Sequence, residues 1–275
     1  MRPVVLLSAI LLLLTGCAGG TGLSFDSEAD IERTWSQALV VLPPSAPGQE
    51  PRVDRLRASG LLQQARSGTR RARLPLVIYL HGCDGIGDMP LLKALATKGY
   101  AVLAPDSFAR RFRPLQCDPA RRQGGQNRFV YDFRLTELTF ALERLDGLDW
   151  IDYRNLFLVG TSEGGVAAAL FRGQVFNARV VAQWSCQGDP LVRGIGAPPG
   201  EPVLALLREG DPYYDPRNTP AQQGDCGPFL LGRPDSQSYV LPRSQDGLNH
   251  FVFDDPDALA LVLAFVDRYR RASRP

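Results

Sequence analysis

Residues 155–171 read NLFLVGTSEGGVAAALF, an apolar run that passes through a glycine-flanked serine into an alanine-rich stretch. The first part has the composition of a strand buried on both faces, and the second that of a helix. Between them, Gly160-Thr161-Ser162-Glu163-Gly164 fits the pattern G-x-S-x-G. At ordinary glycine usage the pattern arises by chance in roughly one chain in ten of this length, so the match alone decides little. Its setting decides more. A sharp strand-to-helix turn forces the serine into a strained backbone, leaves room only for hydrogen at the flanking positions, and stands the hydroxyl out of the fold. The helix that follows aims its free N–H groups and positive dipole end at the same spot. A plain tight turn would need nothing else from the chain, whereas a nucleophile needs partners.

Serine is a poor nucleophile at neutral pH, so it requires a base, and the base requires an orienting group. The 275 residues contain only two histidines. His81 directly follows the apolar run LPLVIYL, inside the core pattern, and is expected to be structural. His250, in QDGLNHFVF between the last strand and the last helix, is the candidate base. The acid is expected just after a strand lying between serine and histidine. VLALLREGDPYYDP ends such a strand, which ranks Asp211 first and Asp215 second, with Asp189 in CQGDPL third. Ser162, Asp211 and His250 then stand in the chain order nucleophile, acid, base. An oxyanion would be met by the backbone N–H of Glu163, next to the serine, and by one in HGCDG, that of Cys83 being the first choice.

Around this turn, buried strands are expected within 74–82, 100–106, 155–159, 178–184, 202–208 and 237–241, with a helical piece near Leu91–Lys98. Val130, Phe133, Leu138, Ala141, Leu142 and Leu145 share one helical face, and Gly147 is a fitting stop. Asp255-Pro256 caps and opens a final helix running to about residue 271. Strands alternating with helices give an α/β fold with a mostly parallel central sheet and helices on both faces. The long irregular stretch from Ser107 to Asn127 has the length of a functional loop or lid. Residues 17–50, with a short helix around Ile31–Leu39, read as a tether and peripheral segment, and 51–275 as one domain.

The formal charge of +2 supplies no footprint for nucleic acid. Arg110, Arg111, Arg113, Arg121 and Arg122 are expected on a solvated surface, the first three with the alternative of attracting an anionic acid portion of a substrate. Gly85-Ile86-Gly87 after a strand faintly imitates a dinucleotide fingerprint, but Pro90 stands where the third glycine belongs. No CxxC or His/Cys cluster has metal-site spacing. No metal or organic cofactor is expected, and the chain is expected to be a monomer.

The first residues, MRPVVLLSAILLLLTGCAGG, form a targeting segment: Arg2 supplies the positive end, and Val4–Leu14 is too short to span a bilayer. Leu14-Thr15-Gly16-Cys17 resembles the lipobox of bacterial lipoproteins. That resemblance implies cleavage before Cys17, lipidation of its thiol and, with Ala18 rather than an aspartate next, an outer-membrane anchor facing the periplasm. In such an oxidising compartment the even number of remaining cysteines, Cys83, Cys117, Cys186 and Cys226, suggests disulfides. Spacing leaves all three pairings open.

VIYLHGCDG, KGYAVLAPDSF, LFLVGTSEGG, LLREGDP and NHF, in this order from about Val77 to the C-terminus, resemble the α/β-hydrolase superfamily and, within it, the dienelactone hydrolase-like group. The resemblance implies the α/β-hydrolase fold and a serine hydrolase that cleaves carboxylic esters or lactones through an acyl-enzyme. It departs from the group in two places: the dienelactone hydrolase that names it uses a cysteine nucleophile where Ser162 stands here, and about 70 N-terminal residues have no counterpart. Superfamily topology further implies the pairs Cys83–Cys117 and Cys186–Cys226, each joining loops after neighbouring strands. A serine peptidase or acyltransferase on the same fold, and a non-catalytic envelope binding lipoprotein, are the rival readings.

Overall fold

The computed structural model describes residues 28–62, 73–113, 117–118, 120–124, 127, 129–188, 190–214, 217 and 220–272. Among them, eight strands form one sheet: β1 (Leu39–Leu42), β2 (Arg52–Arg55), β3 (Leu74–Leu80), β4 (Ala101–Ala104), β5 (Ile151–Thr161), β6 (Ala178–Ala182), β7 (Val203–Arg208) and β8 (Gln237–Leu241). The spatial order is β2-β1-β4-β3-β5-β6-β7-β8. From β4 to β8 every neighbouring pair is parallel.

The strands are apolar at consecutive positions because both faces are covered. In β3, Leu76, Ile78 and Leu80 join one core with Trp35 and with Leu138, Ala141 and Leu145. Val77 and Tyr79 point the other way, into a second core with Leu91, Leu92 and Leu95 and with Val262, Phe265 and Val266. The first core lies under α1 (Asp30–Ser36), α3 (Phe129–Leu145) and α4 (Glu163–Leu170). The second lies under α2 (Met89–Thr97) and α6 (Pro256–Arg268), while α5 (Gly227–Leu230) is a single turn before β8. Each fully buried Leu or Val side chain contributes about 1.5–3 kcal/mol. The final helix starts as its sequence requires, with the Asp255 carboxylate accepting from the N–H groups of Asp257 and Ala258 and Pro256 at the first position.

Residues 30–42, expected to be peripheral, are part of the fold. The first helix ends at Ser36 rather than Leu39, and LVVL becomes β1, antiparallel to β4 with Leu39 opposite Ala104. Val40, Val41 and Leu42 are all buried there. Two β-branched valines in succession favour an extended chain, and the free edge of β4 offers them a partner.

The sheet brings the loops of interest together. Leu80 pairs with Gly160 across β3 and β5, so the loops after these strands leave at the same height. Strand order reverses here, because the chain goes from β3 out to β4 and returns on the far side as β5; such switch points open a crevice at the carboxyl edge. The turn from β5 into α4 is packed backbone to backbone. A Cβ at Gly160 would lie 2.2 Å from the Gly164 carbonyl oxygen, and one at Gly164 would lie 2.0 Å from that of Leu80. Gly165, which the pattern does not specify, is equally confined, 2.4 Å from the Ala182 oxygen.

Two disulfides tie loops on this edge: Cys83–Cys117 joins the loops after β3 and β4, and Cys186–Cys226 joins the loop after β6 to the segment between β7 and β8. These are the pairs implied by the superfamily topology.

Two outcomes follow from the packing. Gly164→Ala is expected to destroy the native fold, because the obstructing atoms are backbone; a cooperative melt at the wild-type midpoint would contradict the close approach. The 40-residue separation closed by Cys186–Cys226 corresponds to about 4 kcal/mol in the chain-entropy account. The double replacement Cys186→Ala/Cys226→Ala should lower the urea-unfolding free energy by roughly that amount.

Candidate active site

Ser162 sits alone between β5 and α4 with φ 53° and ψ −119°. A non-glycine residue held there costs about 1–3 kcal/mol and persists only where its surroundings over-determine it. They do: the Ser162 N–H donates to Ala182 O at 2.9 Å, and the Ser162 carbonyl accepts from the Val166 N–H at 3.0 Å. The hydroxyl oxygen is thereby raised toward the loop after β8.

That loop carries His250, whose Nε2 lies 3.0 Å from Ser162 Oγ. Its Nδ1 lies 2.8 Å from Asp211 Oδ2, in the loop after β7. The carboxylate can only accept, so Nδ1 bears the proton and Nε2 is left to accept from the serine hydroxyl. The other Asp211 oxygen accepts from the Tyr213 N–H at 3.0 Å, which fixes the carboxylate in turn. Asp211 and His250 are both buried, and the Tyr213 ring packs 4.3 Å from the imidazole. Three side chains separated by up to 88 positions thus form one line of hydrogen bonds. Asp215, Asp189 and Cys17 lie outside the described residues.

The loop after β3 runs against this serine: a Cβ on Gly82 would lie 3.3 Å from Ser162 Cβ. His81, as expected, is structural and wholly buried. Its Nε2 accepts from the Ser107 N–H at 3.1 Å and faces Arg134 Nη1 at 3.2 Å, so the proton is on Nδ1, which donates to the Gly82 carbonyl at 2.7 Å. Burial first, then the Arg134 charge, hold this imidazole well below its ordinary value and keep it neutral. The Gly82 carbonyl and the Cys83 N–H belong to one planar trans peptide and point in opposite directions. Fixing the carbonyl on His81 therefore turns the Cys83 N–H away from the imidazole. The Glu163 N–H, at the first position of α4, lies outside the intrahelical ladder.

Behind these two amides lies a buried cluster of charges that the sequence reading does not contain. Arg134 Nη2 donates to the His81 carbonyl at 2.9 Å, Nη1 donates to Glu137 Oε2 at 3.0 Å, and Nε is 3.6 Å from Glu163 Oε1. Glu137 also accepts from Arg110 Nε at 2.6 Å and from the Ser107 hydroxyl. Arg113 lies 3.8 Å from Glu163 Oε1 and stacks its guanidinium over Phe108. The expectation of a solvated surface thus fails for Arg110 and Arg113, whose side chains are only 9% and 16% exposed because buried carboxylates face them. Burial pushes the Glu163 carboxyl above its ordinary value, with Arg134 and Arg113 pulling it back down. The helical stripe on 130–145 signalled this in one respect: Arg134 falls in register with Val130, Leu138, Ala141 and Leu145, a charge where the pattern asks for an apolar residue.

A cleft of about 410 Å³, its open mouth included, adjoins Ser162 and is walled by Cys83, Tyr131, Trp184, Tyr213 and Tyr214. A second recess of about 490 Å³, again with its open mouth included, is lined by His250, Leu248 and Phe251. Trp184, Tyr213 and Tyr214 thus line the space beside the serine, while Phe251 lines the other. Among the described residues, no three His, Cys, Asp or Glu side chains gather where they could hold a metal ion.

No family model matches the sequence, and no curated protein is similar to it. The structure, in contrast, is similar to many solved ones. A provisionally named dienelactone hydrolase from Klebsiella pneumoniae subsp. pneumoniae MGH 78578 superposes with a TM-score of 0.51 at 15% identity, over 84% of this chain and 99% of the other. A phospholipase/carboxylesterase from Dyadobacter fermentans DSM 18053 gives 0.50 at 14% identity, over 84% and 96%. Identities this low speak to architecture alone. With the strand order, the helices on both faces and the turn after β5 already described, they identify the chain as one with the α/β-hydrolase fold.

Proposed function

We propose that this chain is a serine hydrolase that cleaves carboxylic esters or lactones through a covalent acyl-enzyme. The observation that carries the reading is the line of hydrogen bonds from Ser162 Oγ to His250 at 3.0 Å and from His250 to Asp211 at 2.8 Å. Ser162 Oγ attacks the carbonyl carbon while His250 Nε2 takes its proton. Asp211 holds the imidazole in the required tautomer and stabilises the imidazolium. The carbonyl oxygen, now negative, is met by the N–H groups of Cys83 and Glu163. Collapse expels the alkoxide, which leaves with the proton from His250. Water then attacks the acyl-enzyme with His250 as base, and the acid is released. From a lactone, acid and alcohol leave as one hydroxy acid. The reaction as written needs no metal or organic cofactor.

The setting proposed for this chemistry is the cell envelope. The lipobox-like Leu14–Cys17 supports an exported chain anchored through Cys17 to the outer membrane and facing the periplasm. Two disulfides agree with an oxidising compartment.

Ser162→Ala and His250→Ala should each lower kcat on p-nitrophenyl esters by about 10⁴-fold or more, with the folded state intact by circular dichroism. Asp211→Asn should cost about 10³–10⁴-fold, and Asp215→Asn far less. The reverse ranking would move the acid. A fluorophosphonate probe should modify Ser162 in the wild type; its failure to do so would favour a binding protein that keeps only the fold.

A further inference from the structure

The two amides assigned to the oxyanion come from segments far apart in the chain, the loop after β3 and the first turn of α4. Their spacing determines whether both can reach one oxygen, since donors must lie about 2.7–3.1 Å from it. Neither segment holds the other by backbone hydrogen bonds among the described residues. Two side chains touch both: Arg113, whose Nη2 lies 3.4 Å from the Cys83 carbonyl and 3.8 Å from Glu163 Oε1, and Arg134, which makes the shorter contacts from a more deeply buried position. Arg134, projecting from α3 and 1% exposed, grips the β3 loop through the His81 carbonyl at 2.9 Å. The same guanidinium faces Glu163 Oε1 at 3.6 Å. Glu137, itself tied to Arg110 and Ser107, braces the guanidinium from a third side at 3.0 Å.

We infer that Arg134 is a positioning residue that sets the distance between the two oxyanion donors, clamping the Cys83 amide through His81 and the Glu163 amide through the Glu163 carboxylate. It acts in two ways on the first donor. Its Nη2 fixes the His81 carbonyl, and its Nη1 faces His81 Nε2, which keeps the ring proton on Nδ1, where it holds the Gly82 carbonyl and with it the Cys83 peptide plane. On the second, it is a counter-charge to a buried carboxylate whose two oxygens accept no hydrogen bond among the described residues. Planarity and the fork of five donors suit arginine to this double grip; a lysine ammonium, a point charge on a flexible stem, holds one partner at a time. The clamp never touches substrate, so it acts on the transition state and leaves ground-state binding alone. This inference rests on the hydrolase reading above.

The test is steady-state hydrolysis of p-nitrophenyl butyrate by the full chain and its Arg134→Lys, Arg134→Met and Glu163→Gln variants, with inhibition by a phenylboronic acid as a stable tetrahedral mimic. Expected is a loss of about 10–100-fold in kcat for Arg134→Lys at nearly constant KM, matched by the same factor in boronate affinity. Arg134→Met should lose more. Glu163→Gln, which keeps the shape and leaves the β3-loop grip in place, should lose about 3–10-fold and serves if the Arg134 variants do not fold. A folded Arg134→Lys or Glu163→Gln enzyme with wild-type kcat overturns the clamp. So does a kcat loss that follows thermal midpoint across the series while boronate affinity stays at the wild-type value. Fluorophosphonate labelling of the wild type separates the two levels: a wild type that labels at Ser162 while the variants keep full activity overturns the clamp alone, and one that does not label overturns the hydrolase reading with it.

Discussion

Where β5 turns into α4, the backbone of Gly164 comes so near the end of β3 that a single methyl group would lie 2.0 Å from the Leu80 oxygen. That contact does three things at once. It presses the turn that carries Ser162 onto the neighbouring strand, it makes α4 start immediately, and it leaves Ser162 no regular backbone conformation to adopt. The loop after β3, the first amide of α4 and the serine hydroxyl are then confined to one small volume. Asp211 and His250 have only to be delivered there by the loops after β7 and β8, which the parallel sheet does by ending those strands on the same edge.

Charge inside the core is the second organising feature. Removing an ion from water costs several kcal/mol even when it is paired, so buried ion pairs add little to stability against apolar replacements. They do impose direction. Arg179, fully buried, donates to the Ala168 and Phe171 carbonyls at 2.7 Å each and pairs with Glu201. It therefore satisfies carbonyls at the far end of α4, where a cation also suits the helix dipole. Arg134 and Glu163 stand at the near end of the same helix. The short helix that carries the serine is thus fixed at both ends by arginines drawn from other elements, which an apolar core could not do with equal angular definition.

Much of this was legible in the residues. Buried parallel strands appear as short apolar runs, and a strand followed at once by G-x-S-x-G and an alanine-rich helix has few other meanings. Only two histidines narrowed the candidate base to one outside the core motif. Three features were hidden for identifiable reasons. LVVL at 39–42 reads as part of the peripheral segment, with Leu39 at the end of the expected helix, because a four-residue apolar run has no period of its own. Gly165 looked incidental, since its need arises from Ala182 in a different strand. Arg110 and Arg113 looked like surface because their partners, Glu137 and Glu163, are 27 and 50 positions away; a charge earns burial only from a neighbour in space.

The two places where the chain enters and leaves the fold are not equivalent. At the start of α1, the Asp30 carboxylate accepts from the N–H groups of Arg111 and Phe112, in the loop after β4 on the edge that carries the cleft. After α6, the Arg271 carbonyl accepts from Asn155 and that of Tyr269 from Asn177, at the opposite edge where β5 and β6 begin. The described fold therefore begins on the edge that carries the cleft, and a group attached directly at α1 would start from that edge. A partner attached behind α6 stands across the full depth of the sheet from it, which makes that side the one for immobilising the protein without crowding its opening.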